Sequence, residues 1–71
     1  MFPNLRAEMT RNKIRTKDIA KVLHVSEKTV RNYLSGRTKI SWFDVLTIQA
    51  KLFPKLGVNY LFEIKLEQKV S

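Results

Sequence analysis

Apolar residues recur three and four positions apart through most of the chain, the spacing of helices rather than strands. Phe2, Leu5 and Met9 form the inner stripe of a first helix, from about Asn4 to Asn12, and Asn12 and Lys13 then turn the chain. Ile19, Ala20 and Leu23 face inward on a second helix, from about Thr16 to Leu23, with Ala20 small enough for another backbone to pass closely. A third helix opens on Ser26, whose hydroxyl suits the cap position. Val25 before it and Val30 at the fourth helical position make a hydrophobic staple, and Gly36 suits the stop. The fourth helix repeats this grammar. Ser41 caps, Asp44 completes a short capping box, and Ile40 pairs with Val45. Its inner face is Val45, Ile48 and Leu52, and Pro54 disfavours helical backbone at Phe53. A short fifth helix, from about Val58 to Glu63, offers Leu61 and Phe62 to the core. In the tail, Ile64, Leu66 and Val70 lie two or four apart, which suits a strand, whereas Tyr60, Leu61 and Ile64 suit a helical extension. The expected architecture is all-α: one compact five-helix domain over residues 1–63 and a tail over 64–71 as a candidate dimerisation segment.

Composition narrows the setting. Seventy-one residues suffice for one domain with a small core. There is no cysteine, hence no disulfide and no thiolate metal site. A chain 44% apolar and 28% charged is globular rather than disordered. No apolar run approaches the roughly 20 residues that span a bilayer. The N-terminal stretch lacks the long apolar core of a signal peptide, so a cytoplasmic protein without membrane contact is expected.

Charge is what points to function. Residues 11 to 39 carry nine basic and two acidic groups, which is +7 of the chain's net +8; the other 42 residues nearly balance. Positive charge concentrated on one structural unit is the footprint of a polyanion binder. The third helix lies inside that unit. At 100° per residue, Val30, Tyr33 and Leu34 share the buried side, whereas Lys28, Asn32 and Ser35 lie opposite, flanked by Arg31 and Thr29. Such a face suits the DNA major groove. Asn pairs with adenine, Lys and Arg with guanine, and the Thr methyl touches the thymine methyl. Taken alone, this is also how a solvated helix face reads; the short preceding helix, the tight turn and the local charge favour the groove.

At these residues the chain resembles the helix-turn-helix domains of the phage repressor and Cro class. The resemblance covers residues 4 to 63 and rests on Leu5–Arg6, Asp18–Ile19–Ala20, Leu23, Val25–Ser26, Thr29–Val30, Tyr33–Leu34, Ser35–Gly36, Ile40–Ser41 and Tyr60–Leu61–Phe62. It implies a five-helix bundle with the third helix in the major groove. By position it implies base contacts from Glu27, Lys28, Thr29 and Asn32, and backbone contacts from Thr16, Lys17, Arg37 and Lys39, with Arg31 able to serve either role but assigned to the backbone. The chain departs from the family in three places. Arg15 stands where Thr is frequent, Thr16 where Gln is common, and His24 where the turn usually has Gly. The implied partner is double-stranded DNA with a palindromic site, bound by a homodimer. Phe43, Tyr60, Phe62, Ile64 and Leu66 are the dimer candidates, being apolar and outside the basic unit.

Other chemistry is not indicated. His24, the one histidine, has no ligand partner beside it, and Ser26 has no evident base. No glycine-rich phosphate loop, carboxylate pair or metal spacing suggests catalysis, so no enzyme activity, cofactor, metal or small-molecule ligand is expected. Trp42 and Phe43 open the fourth helix 100° apart; Trp42 is expected in the core, and Phe43 either in the core or at a dimer contact. The competing reading is a protein-interaction module, such as an antitoxin or regulatory adaptor subunit, with the apolar tail as its adhesive surface. RNA binding is disfavoured by the lack of paired stacking aromatics, and membrane binding by the lack of one continuous basic amphipathic helix.

Overall fold

A computed structural model describes residues 1–64. Five helices follow one another, α1 (Pro3–Arg11), α2 (Thr16–Leu23), α3 (Glu27–Ser35), α4 (Trp42–Leu52) and α5 (Val58–Leu61), with no strand among the described residues. The all-α expectation holds, and α2 has the expected bounds. Helix α1 starts and ends one residue earlier than expected, because Pro3 fits a first helical position, where its missing N–H costs nothing. Helix α5 ends at Leu61 rather than near Glu63. The tail's proposed strand falls on residues 65–71, outside the described residues, apart from Ile64, which is in neither helix nor strand.

Three helices end in the same way. After α1, Lys13 N–H donates to Thr10 O and Ile14 N–H to Met9 O. His24 and Val25 repeat the pattern on Lys21 O and Ala20 O, and Gly36 and Arg37 on Tyr33 O and Asn32 O. This paired closure needs a left-handed residue at the turn, and Lys13, His24 and Gly36 have φ of 56°, 60° and 87°. The residue after each of the first two turns is apolar, Ile14 and Val25, and packs back onto the core. Only Gly36 adopts its conformation without a Cβ penalty. Replacing His24 by Gly is therefore expected to raise stability by about 1 kcal/mol. An unchanged or lower denaturation midpoint would show that the imidazole makes compensating contacts.

The helix starts differ more from expectation. Ser26 Oγ accepts from Thr29 N–H at 3.1 Å, and Ser41 Oγ accepts from Asp44 N–H at 3.1 Å, as the caps require. The capping box on α4 is only half formed, however. The Asp44 carboxylate accepts from the Tyr33 hydroxyl, at 3.5 Å, instead of returning to Ser41. The reciprocal half appears on α2, where Asp18 Oδ2 accepts from Arg15 N–H at 2.8 Å.

The core gathers Phe2, Leu5, Met9, Ile19, Ala20, Val30, Leu34, Ile48, Phe53 and Leu61. Leu5, Ile19, Val30, Ile48 and Leu61 are the most deeply enclosed, one from each helix. Phe2 and Phe62 meet edge to face with centroids 5.3 Å apart. A polar clasp also joins α1 to α5. Asn4 donates to Tyr60 O (2.8 Å) and Glu63 Oε1 (3.2 Å), and the Tyr60 hydroxyl donates to Glu8 Oε2 at 2.8 Å. Glu8 is only 5% exposed and also receives Arg11 at 2.6 Å and Asn12. Burying this carboxylate is tolerable because its oxygens are satisfied. Its hydrogen bond holds the Tyr60 phenol above the ordinary tyrosine pKa, so the hydroxyl stays a donor.

Candidate nucleic-acid interface

Helix α3 is held at both ends and along one side. Ser26 fixes its start, Gly36 its end, and Val30 and Leu34 pin its inner face. Two cations gather at its C-terminal end, where carbonyls are left over. The Met1 ammonium donates to Leu34 O at 3.2 Å, and Arg6 reaches the same oxygen at 3.5 Å. The Met1 side chain lies against Gly36 so closely that a Cβ there would meet its Sδ at 2.7 Å. Tyr33 ties α3 to the first turn of α4 through Asp44. Burial, and then the Asp44 carboxylate, push its phenol above the ordinary value, so the donor form persists.

The outer face of α3 is what the sequence pattern placed there. Lys28, Arg31 and Ser35 are exposed, and Asn32 and Thr29 are half-buried beside them. The Asn32 carbonyl is spent on the helix end, but its side-chain amide makes no hydrogen bond to the described residues. Thr29 is less free. Its hydroxyl pairs with that of Ser26 at 3.0 Å, which leaves mainly its methyl for a ligand. Glu27 stands in the first helical turn, where a carboxylate favours the helix dipole. It also lies 3.8 Å from Arg31, an exposed pair that contributes little energy but biases the guanidinium along the helix.

The backbone candidates flank this face. Thr16 opens α2 half-buried with Lys17 exposed beside it, and Arg37 and Lys39 stand exposed in the loop between α3 and α4. Lys17, Lys28, Arg37 and Lys39 form no ion pair with the described residues. Lys21 and His24 line the groove between α2 and α3 with Lys17 and Glu27, and Lys21 adds a further cation there. Lys21 was legible, because it repeats Lys17 one helical turn on.

The dimer candidates fare unequally. Phe43 is exposed. Tyr60 is exposed although its hydroxyl bonds Glu8 on α1, Phe62 is half-buried with its ring against Phe2, Ile64 is exposed at the edge of an apolar cavity, and Leu66 lies outside the described residues. Trp42, expected in the core, is 66% exposed. Side chains lean toward the helix N-terminus, so the first residue of α4 overhangs the helix end and misses the core that Val45 and Ile48 reach.

Among the described residues no three His, Asp or Glu side chains could hold a metal together, and no helix is long and apolar enough to cross a membrane. No protein-family model, curated protein or solved structure matches the chain.

Proposed function

We propose that this protein binds double-stranded DNA sequence-specifically and regulates transcription, as a helix-turn-helix protein of the repressor and Cro type. The observation that carries the reading is the outer face of α3. Lys28, Arg31 and Asn32 project from a helix fixed by a cap, a glycine turn and a buried inner stripe, flanked by the cations Lys17, Arg37 and Lys39, which form no ion pair with the described residues. A rigid helix with base-reading groups on one face and phosphate-binding groups at its margins is what major-groove recognition needs. Selection from a random duplex pool tests it. A palindromic consensus is the expected result, and recovery of no motif would refute the reading.

Single substitutions then separate the roles. Asn32→Ala and Lys28→Ala are each expected to cost about 1–3 kcal/mol on the selected site and much less on random duplex. Titrations on both duplexes measure the difference. Equal losses would place these side chains on the backbone rather than on bases.

A further inference from the structure

Helix α4 carries apolar side chains on the face turned away from the core as well as on the face turned toward it. Val45 and Ile48 are buried, and Leu52 packs beside them. Trp42, Phe43 and Leu46 are 66%, 75% and 39% exposed, and Ala50 is exposed too. At about 100° per residue these four fall within a single arc of about 100°, spaced three and four apart. A stripe of that width is what a helix presents to a packed neighbour, and an apolar cluster left open in this way marks a docking surface. We propose that the stripe docks an amphipathic helical segment of a different protein, one whose own apolar stripe has acidic residues at both ends. Such docking is independent of DNA binding and goes beyond it.

Shape, area and charge select that occupant. The stripe runs along an 11-residue helix, about 16 Å long, and a row of side chains on such a cylinder packs into the grooves of another helix. With an aromatic side chain offering roughly 150–250 Å², the stripe exposes on the order of 400 Å², about half the ~800 Å² per partner of a standard interface. That fits one helical segment rather than a whole globular face. Charge sets the segment's chemistry. Residues 37 to 57 hold four basic groups, Arg37, Lys39, Lys51 and Lys55, and one acidic group, Asp44, whose carboxylate accepts from Tyr33. Lys39 stands before the stripe and Lys51 and Lys55 after it, all exposed and none in an ion pair with the described residues. Carboxylates at the two ends of the partner's stripe complement them. The same charges disfavour a second copy, which would bring its own net +8. A lipid surface or a duplex calls for cations along the sides of the stripe, where Thr47 and Gln49 stand instead.

Trp42 is the one tryptophan, so its emission reports the stripe directly. The full chain, without DNA, is titrated with three synthetic peptides of roughly 15 residues, long enough to begin forming a helix. The first has leucines three and four apart and glutamates at both ends. The second has lysines in place of the glutamates, and the third scatters the leucines of the first around the helix. The first is expected to move the emission to shorter wavelength, to saturate at one peptide per chain, and to bind about tenfold or more tightly than the other two. Phe43→Ala is expected to weaken it roughly 30-fold, the loss that follows truncation of an aromatic anchor. Lys51→Ala is expected to narrow the preference for glutamate over lysine. Both positions are exposed, and circular dichroism checks that the helices persist. Equal affinity for the three peptides, or binding untouched by Phe43→Ala, overturns the proposal. So does a shift produced by phosphatidylglycerol vesicles, by random duplex or by concentrating the chain alone while the acidic peptide produces none. No shift with that peptide up to about 1 mM also overturns it. Each of these results is obtained apart from duplex selection, so the DNA reading stands or fails separately.

Discussion

Leu61→Ala is expected to lower stability by about 2–5 kcal/mol. Leu61 is fully buried and lies on the four-residue helix α5, which also holds α1 through the Tyr60–Glu8 and Asn4 bonds. A cavity there opens beneath the clasp, and so short a helix has few other contacts with which to close it. At about 0.05–0.15 kcal/mol per residue, a domain of this length holds only about 4–11 kcal/mol in total. The variant should therefore lose a large part of its stability and populate unfolded chain well below the wild-type melting temperature. The comparison is Phe43→Ala, which removes a larger side chain from an exposed site and should stay within about 0.5 kcal/mol. Chemical denaturation of both variants decides the matter. If their midpoints move alike, α5 does not belong to the core.

The helices were legible in the sequence because their stripes and caps use residue types that mean one thing locally. Ser26 and Ser41 do cap, and Val30, Leu34, Val45 and Ile48 are buried as their spacing demands. What was not legible depended on residues in unfavoured roles. Lys13 closes α1 in the left-handed conformation with nothing in its chemistry to say so. Phe53 read only as a stop before Pro54, yet leaving the helix turned its ring into the core. Glu8 is a carboxylate buried inside the fold. Its burial depends on Tyr60, 52 residues away, a pairing that local pattern does not contain. Trp42 failed for the opposite reason, since its angular position was inward but the helix end left it nothing to pack against. On the candidate interface the charge and the polar face of α3 were plain. That Thr29 shares its hydroxyl with Ser26, that the Tyr60 hydroxyl bonds Glu8, and that the Phe62 ring meets Phe2, depended on geometry.

Affinity for DNA is expected to fall by about 10³–10⁵-fold between roughly 50 and 200 mM salt. The magnitude follows from where the charge sits. Lys17, Arg31, Arg37 and Lys39 border the reading face, all exposed, and only Arg31 has an ion-pair partner among the described residues, at a distant 3.8 Å. On the proposed reading, two copies would bring about eight cations to phosphates, within the range for which such a loss applies, with about 0.9 unit of log–log slope for each phosphate neutralised. Lys39→Ala should flatten the slope by about one unit per copy bound and weaken selected and random duplexes equally, because a phosphate contact carries no sequence information. Asn32→Ala should do the reverse, lowering affinity for the selected site while leaving the slope alone. Measuring both variants across a salt series makes the two kinds of contact separable. An affinity independent of salt, or a Lys39→Ala variant that loses specificity while keeping the wild-type slope, would show that the positive charge of residues 11 to 39 serves some purpose other than holding a duplex.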